Sequence, residues 1–211
     1  MADEATQTAR LVLVRHGESA TNAANVFTGW SDPPLTEIGR DEAGRVAHRL
    51  LTAGLRPDRV FSSVLDRSVE TARIILDVMG APEPRLAAHP ALNERDYGAL
   101  TGLNKAEAAT RYGAEQVRQW RRSYAIAPPE GESLRDTAAR VLAYYVHVML
   151  PAALAGGTTL VVSHGNSLRA LAMALDGLDA AAVEHFDLST GATILYELDE
   201  TSAVARRTVI N

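Results

Sequence analysis

The chain has 211 residues, 46% of them hydrophobic and 22% charged, which suits one globular domain, or two closely packed ones, with a large core. It contains no cysteine, so disulfides, thiolate metal sites and a cysteine nucleophile are excluded. A formal net charge of −5 argues against general nucleic-acid binding. No apolar run reads as long enough to cross a membrane, and residues 1–10 lack the apolar core of a signal peptide, so a soluble, cytoplasmic protein is expected.

Residues 11–15 form an apolar, β-branched run that stops at Arg15-His16-Gly17. This reads as a buried strand delivering a histidine to the carboxyl end of a sheet. Residues 36–51 follow as an amphipathic helix with Thr36 as N-cap and Gly54 near its end. Next come a short strand (59–63), a helix (65–79), Gly80 with a proline-rich loop to Pro84, and a brief apolar segment (85–88) that reads as another strand. Residues 93–132 differ in character: short helices at 105–112 and 114–123 precede Pro128-Pro129-Glu130-Gly131. The stretch reads as an excursion from the sheet, too small for its own core. A long helix (133–155), closed by Gly156-Gly157, leads to a second buried strand (158–163) ending in His164-Gly165-Asn166. Residues 167–187 read as mostly helical, and 192–198 with 203–209 as a closing strand pair. Strands alternating with helices predict an α/β protein, taken as a single domain over residues 1–211.

Two strands thus end alike, at His16-Gly17 and at His164-Gly165. Parallel strands carry their carboxyl ends to one edge, where open α/β sheets bind their ligands. Two histidines placed there can meet at one phosphoryl group, one as a neutral nucleophile and the other as a donor to the equatorial oxygens. Phosphoryl transfer to nitrogen also needs cations and a proton donor. The candidate cations are Arg15, Arg67, Lys105 and the adjacent Arg121-Arg122, and Lys105 is the sole lysine among 21 basic residues. The candidate acid is Glu94, whose alternative reading is an exposed loop carboxylate paired with Arg95. His48, His89, His147 and His185 show no ligand spacing, so no metal site is expected.

Arg15-His16-Gly17-Glu18-Ser19 with Asn22, Phe27-Thr28-Gly29-Trp30, Ser63-Val64-Leu65-Asp66-Arg67, the block from Leu92 to Lys105, Gln119-Trp120-Arg121-Arg122, and His164 to Leu171 form a longer pattern. It resembles the cofactor-dependent phosphoglycerate mutases of the histidine phosphatase superfamily. Arg-His-Gly alone marks only the superfamily. The block from Leu92 to Lys105 is far more specific, because simple phosphatases of this fold share little of it beyond the glutamate. The resemblance implies a three-layer α/β sandwich, a mostly parallel central sheet flanked by helices. It implies interconversion of 3-phosphoglycerate and 2-phosphoglycerate, in glycolysis and gluconeogenesis, through a phosphohistidine at His16. That histidine would be primed by 2,3-bisphosphoglycerate, with no metal. Glu94 is implied as general acid and base, and Arg15, Arg67 and His164 as the surround of the transferring group. Asn22 and Asn166, next to Gly165, are implied as polar contacts, and Ser19, Thr28, Gly29, Tyr97, Lys105, Arg121 and Arg122 as the hold on the rest of the substrate. The implied partners are phosphoglycerates, with neither nucleic acid nor membrane, and a second copy of the chain, a dimer being the first expectation. The nearest alternative is a phosphatase of the same superfamily acting on small phosphate esters.

Four features depart from the longer mutases. The segment between Pro128-Pro129-Glu130 and Glu132-Ser133 is short where many relatives carry a loop, and the sequence ends at Asn211 with almost none of a covering tail. Asp66 stands where a basic residue is common, and Asp96 where histidine is common. A thinner cover admits water, so hydrolysis of phosphoglycerates is expected to be larger, relative to mutase turnover, than in tailed relatives.

Overall fold

The computed structural model describes residues 9–81 and 86–211. Four strands lie parallel: β1 (Ala9–Arg15), β2 (Arg59–Ser62), β3 (Leu86–Ala88) and β4 (Thr158–Ser163). Two more, β5 (Thr193–Leu198) and β6 (Val204–Val209), join antiparallel, giving one sheet in the order β3-β2-β4-β1-β5-β6. Arg85 and the proline-rich stretch 82–84 lie outside the described residues.

Side chains along β1 alternate between two cores, as the twofold period of a strand demands. Leu11 and Leu13 enter one cluster, with Val161, Leu134, Val141, Tyr145, Met149, Leu168 and Leu171. Val12 and Val14 enter the other, with Leu160, Val162, Val46, Leu50, Ile75 and Leu76. A strand buried on both faces must be apolar throughout, which is why β1 and β4 read as continuous β-branched runs. Each fully buried Leu, Ile or Val contributes about 1.5–3 kcal/mol by leaving water.

The helices on the first face are α6 (Leu134–Tyr144) and α8 (Gly165–Leu175); those on the second are α2 (Glu37–Thr52) and α3 (Asp66–Met79). The layers are therefore helix, sheet, helix. Thr36 caps α2 by accepting from Gly39 N, and Ser133 with Asp136 forms a capping box at the start of α6. The remaining α-helices among the described residues are α1 (Ala20–Ala23), α4 (Lys105–Tyr112), α5 (Ala114–Arg122), α7 (Leu150–Leu154) and α9 (Ala180–His185).

Three sequence expectations need correction. The long helix at 133–155 contains a π-helical segment, Tyr145–Met149, before α7 begins with Pro151 in its first turn. A proline there lacks the amide that an unbroken α-ladder would use, and the wider turns accommodate its ring. Secondly, the helical stretch Leu134–Leu154, 21 residues long at a mean hydropathy of 1.2, meets the length and composition for a membrane span. Here its apolar face covers the sheet, and Arg135, Asp136 and Arg140 lie in its first two turns. Thirdly, the 93–132 excursion does hold a small apolar cluster, Leu100, Ala108, Val117 and Trp120, completed by Phe27 from the chain before α2. That borrowed phenylalanine ties the excursion to the residues that follow β1.

Candidate active site

His16 and His164 follow directly from neighbouring strands. β1 and β4 pair with Arg15 opposite Ser163, and His16 N donates to Ser163 O at 2.9 Å. The two rings end 4.9 Å apart between centroids, tilted by 59°. Both histidines are buried, at 2% and 0% exposure. Gly17 is needed beside them because the chain there runs against α2: a Cβ on Gly17 would lie 2.1 Å from the carbonyl oxygen of Gly39.

One hydrogen bond assigns the His16 tautomer. His16 Nδ1 lies 2.7 Å from Gly17 O, a carbonyl that can only accept, so Nδ1 carries the proton and Nε2 keeps its lone pair. Burial pushes the His16 imidazole well below its ordinary range, and the charges of Arg67 and Arg15 push the same way against the Gly17 hydrogen bond. His164 is lowered too, by burial first and then by Arg67 and His16. Ser63 Oγ accepts from Leu65 N and sits 2.7 Å from His164 Nε2. His164 Nδ1 has no hydrogen-bond partner among the described residues.

Glu94 is 8% exposed, not an exposed loop carboxylate. Its Oε1 accepts from Arg95 N at 2.7 Å, Asn166 Nδ2 at 2.9 Å and Asn166 N at 3.2 Å. Three N–H donors on Oε1 leave Oε2 as the oxygen able to carry a proton. Arg95 meets Glu94 only through its backbone; its guanidinium turns to Arg121 O and the Tyr97 hydroxyl.

A cleft of about 190 Å³ brings Arg15, Glu94, Tyr97, Lys105, Arg121, Arg122, Gly165 and Asn166 together, with Arg169 and Asp187. It shares Arg15, Glu94, Tyr97 and Lys105 with a narrower recess of about 50 Å³ that reaches His16, Arg67, Asn22 and Thr28. A larger hollow of about 350 Å³, bordered by α2, residues 186–194 and the end of β6, is lined by none of the candidate residues.

Arg15 donates to Leu188 O, and its guanidinium packs over Gly165, where a Cβ would meet Arg15 Cζ at 3.6 Å. Arg67 is 1% exposed and is held by Gly29 O at 3.0 Å and Ser31 O at 2.8 Å. Gly29 therefore touches the site through its carbonyl, by aiming Arg67. Ser19 is fully buried and caps α1, giving Asn22 its orientation through hydrogen bonds to Asn22 Oδ1. Thr28 is hydrogen-bonded to Thr21 at 2.6 Å. Burial lowers the ammonium of Lys105, partly offset by Tyr97. For Tyr97, burial and Glu94 push the phenol up, but the charge and hydrogen bond of Arg95, whose guanidinium lies 4.8 Å over the ring, together with a hydrogen bond from Asn166 hold it below its ordinary range.

Of the two departures within motifs, Asp96 serves the local backbone, its Oδ1 accepting from Gly98 N to turn the chain. Asp66 opens α3, where a negative charge suits the helix dipole. Three partners escaped the sequence reading. Ser63 sits at the carboxyl end of β2, and the logic used for His16 and His164 would have found it. Arg169, 3% exposed, donates to Asn166 Oδ1, Arg122 O and Val183 O, and Arg140 grips the loop before Glu94. Arg169 lies inside the block from His164 to Leu171, whereas no local pattern marks Arg140. Among the described residues, no group of three or more His, Asp and Glu side chains could hold a metal ion.

Residues 11–211 match the model of the histidine phosphatase superfamily, branch 1. A 2,3-bisphosphoglycerate-dependent phosphoglycerate mutase of Bartonella bacilliformis is 52% identical over 200 residues, 95% of this chain and 97% of the relative. One from Chelativorans sp. is 51% identical over the same share of each. The compact length is therefore common to these relatives. Among solved structures, a mycobacterial glucosyl-3-phosphoglycerate phosphatase superposes with a TM-score of 0.79 at 26% identity, covering 95% of this chain and 97% of that one. The alpha-ribazole phosphatase of Shigella flexneri gives 0.79 at 26%, covering 96% of each chain. A phosphatase fold with two buried, neutral histidines at one sheet edge, and half its residues shared with mutases, places the chain in the histidine phosphatase superfamily, branch 1, among its 2,3-bisphosphoglycerate-dependent phosphoglycerate mutases.

Proposed function

We infer that the protein interconverts 3-phosphoglycerate and 2-phosphoglycerate through a phosphohistidine at His16. One juxtaposition carries the reading: an unprotonated His16 Nε2 and the free Oε2 of Glu94 border one cationic cleft.

The lone pair of His16 Nε2 attacks phosphorus, and the P–O bond to the donor oxygen breaks. The departing alkoxide takes the proton held on Glu94 Oε2. Arg15, Arg67 and His164 surround the charge spread over the three non-bridging oxygens. Because both imidazoles are held neutral by burial, one offers a lone pair while the other offers a proton. In the return step Glu94 removes the proton from the other hydroxyl of the glycerate, whose oxygen attacks the phosphohistidine. Tyr97, Lys105, Arg121 and Arg122 suit the carboxylate and second phosphate, which need bidentate and point-charge partners.

The cleft fits 2,3-bisphosphoglycerate by its donor set, the five cations Arg15, Lys105, Arg121, Arg122 and Arg169. Bound there, this compound supplies the phosphoryl group that primes His16.

The test measures 2-phosphoglycerate formation with and without catalytic 2,3-bisphosphoglycerate, with EDTA present throughout. Strong stimulation and indifference to EDTA are expected. Phosphate release without isomerisation would assign the protein to phosphate-ester hydrolysis instead. His16→Ala should reduce turnover by at least about 1,000-fold and abolish phosphoryl labelling of the protein.

A further inference from the structure

Glu94 sits in irregular chain between two short 3-10 turns, Pro90–Leu92 and Gly98–Leu100, with no strand ladder or α-helix to fix it. Its backbone carbonyls must be satisfied by other means. Arg140, on the second turn of α6, does most of this. Its Nη1 donates to Ala91 O at 2.8 Å and Asn93 O at 2.9 Å, and its Nη2 to Glu94 O at 2.9 Å. The remaining two bonds go to Glu132, Nε to Oε1 and Nη2 to Oε2, each 2.8 Å. Five bonds employ the full set of guanidinium donors.

Other side chains complete the grip. Ser163 Oγ donates to Leu92 O, Ser167 Oγ to Asn93 O, and Trp30 Nε1 to Glu94 O. On the far side of Glu94, Glu132 Oε2 accepts from Asp96 N at 3.0 Å. The Arg140–Glu132 pair therefore holds the chain both before and after the glutamate, without touching its carboxylate.

We propose that Arg140, oriented by Glu132, is the positioning residue that aims the Glu94 carboxylate at the leaving oxygen. The proposal rests on the reading of Glu94 as proton carrier, and its test separates the two. Two phosphoryl donors are compared. 2,3-Bisphosphoglycerate loses an alkoxide that needs a proton, whereas p-nitrophenyl phosphate loses a phenolate that leaves without one.

Misplacing an acid by about 1 Å costs about 100-fold. Arg140→Ala and Arg140→Lys should lower mutase kcat by about that factor, with KM for 3-phosphoglycerate held within about twofold. The initial burst of p-nitrophenolate should stay at the wild-type rate. Lysine cannot reproduce the planar fork, so Arg140→Lys should not rescue, whereas added ethylguanidine should partly restore Arg140→Ala. If Arg140→Ala does not fold, Arg140→Lys and Glu132→Gln carry the test through the same split between donors.

Glu94→Gln is the reference. If it shows no split between the donors, the reading of Glu94 fails. If it shows the split and the Arg140 variants turn over at the wild-type rate, or lose both donors equally, the positioning role of Arg140 is overturned.

Discussion

In the proposed mechanism His16 and His164 act uncharged, and that requirement couples chemistry to stability. In the unfolded chain each titrates near its ordinary value of 6.5, whereas burial lowers both in the native state. Between the two values the unfolded state binds the proton that the native state refuses, so stability is lost as pH falls below 6.5. The slope is about 1.4 kcal/mol per pH unit for each histidine. Urea melts at pH 7 and pH 5.5 should show the loss, and His164→Asn should lessen it. An unchanged slope in that variant would mean that other groups set the acid limit. The acid limb of kcat/KM should likewise fall below the ordinary histidine range, because the free protein keeps Nε2 unprotonated there. His16, His164 and Arg67 were legible in the sequence because each sits within a few residues of a strand end. Arg140 was not: its partners at Ala91, Asn93 and Glu94 are 46–49 residues away, beyond any local period.

At the scale of elements, the site depends on how closely α2 approaches the turn after β1. Gly17 and Gly39 face each other, and a Cβ on Gly39 would come within 2.1 Å of Glu18 O. Gly17→Ala should therefore cost about 3 kcal/mol through overpacking against backbone that has no room to move. A thermal melt checks this, and a melt within a degree of wild type would refute it. The elements themselves were largely readable, since short continuous β-branched runs mark β1 and β4 and a 3.6-fold period marks α2 and α3. The π-helical turns before α7 were not, because Tyr145–Met149 has the composition of ordinary helix and the cause lies in where Pro151 falls. The small cluster around Trp120 was hidden for another reason: Phe27, which completes it, lies far from it in sequence.

Across the whole molecule, a net charge of −5 surrounds a cleft lined by Arg15, Lys105, Arg121, Arg122 and Arg169. The anionic substrate is drawn to that local field, which salt screens. Raising KCl from about 0.1 M to about 1 M shortens the screening length from about 10 Å to about 3 Å. KM for 3-phosphoglycerate should rise several-fold over this range while kcat changes less. A salt-independent KM would show that binding rests on short contacts alone. The pairing of β1 with β4 has a further consequence. Arg15 opposite Ser163 sets His16 opposite His164, so slippage by a single residue would send one imidazole to the opposite layer. Such a molecule would still be helical and closed, but it could not accept phosphate. Activity recovered after denaturation therefore counts correctly paired chains, and its shortfall against recovered far-ultraviolet signal measures how many have collapsed out of step.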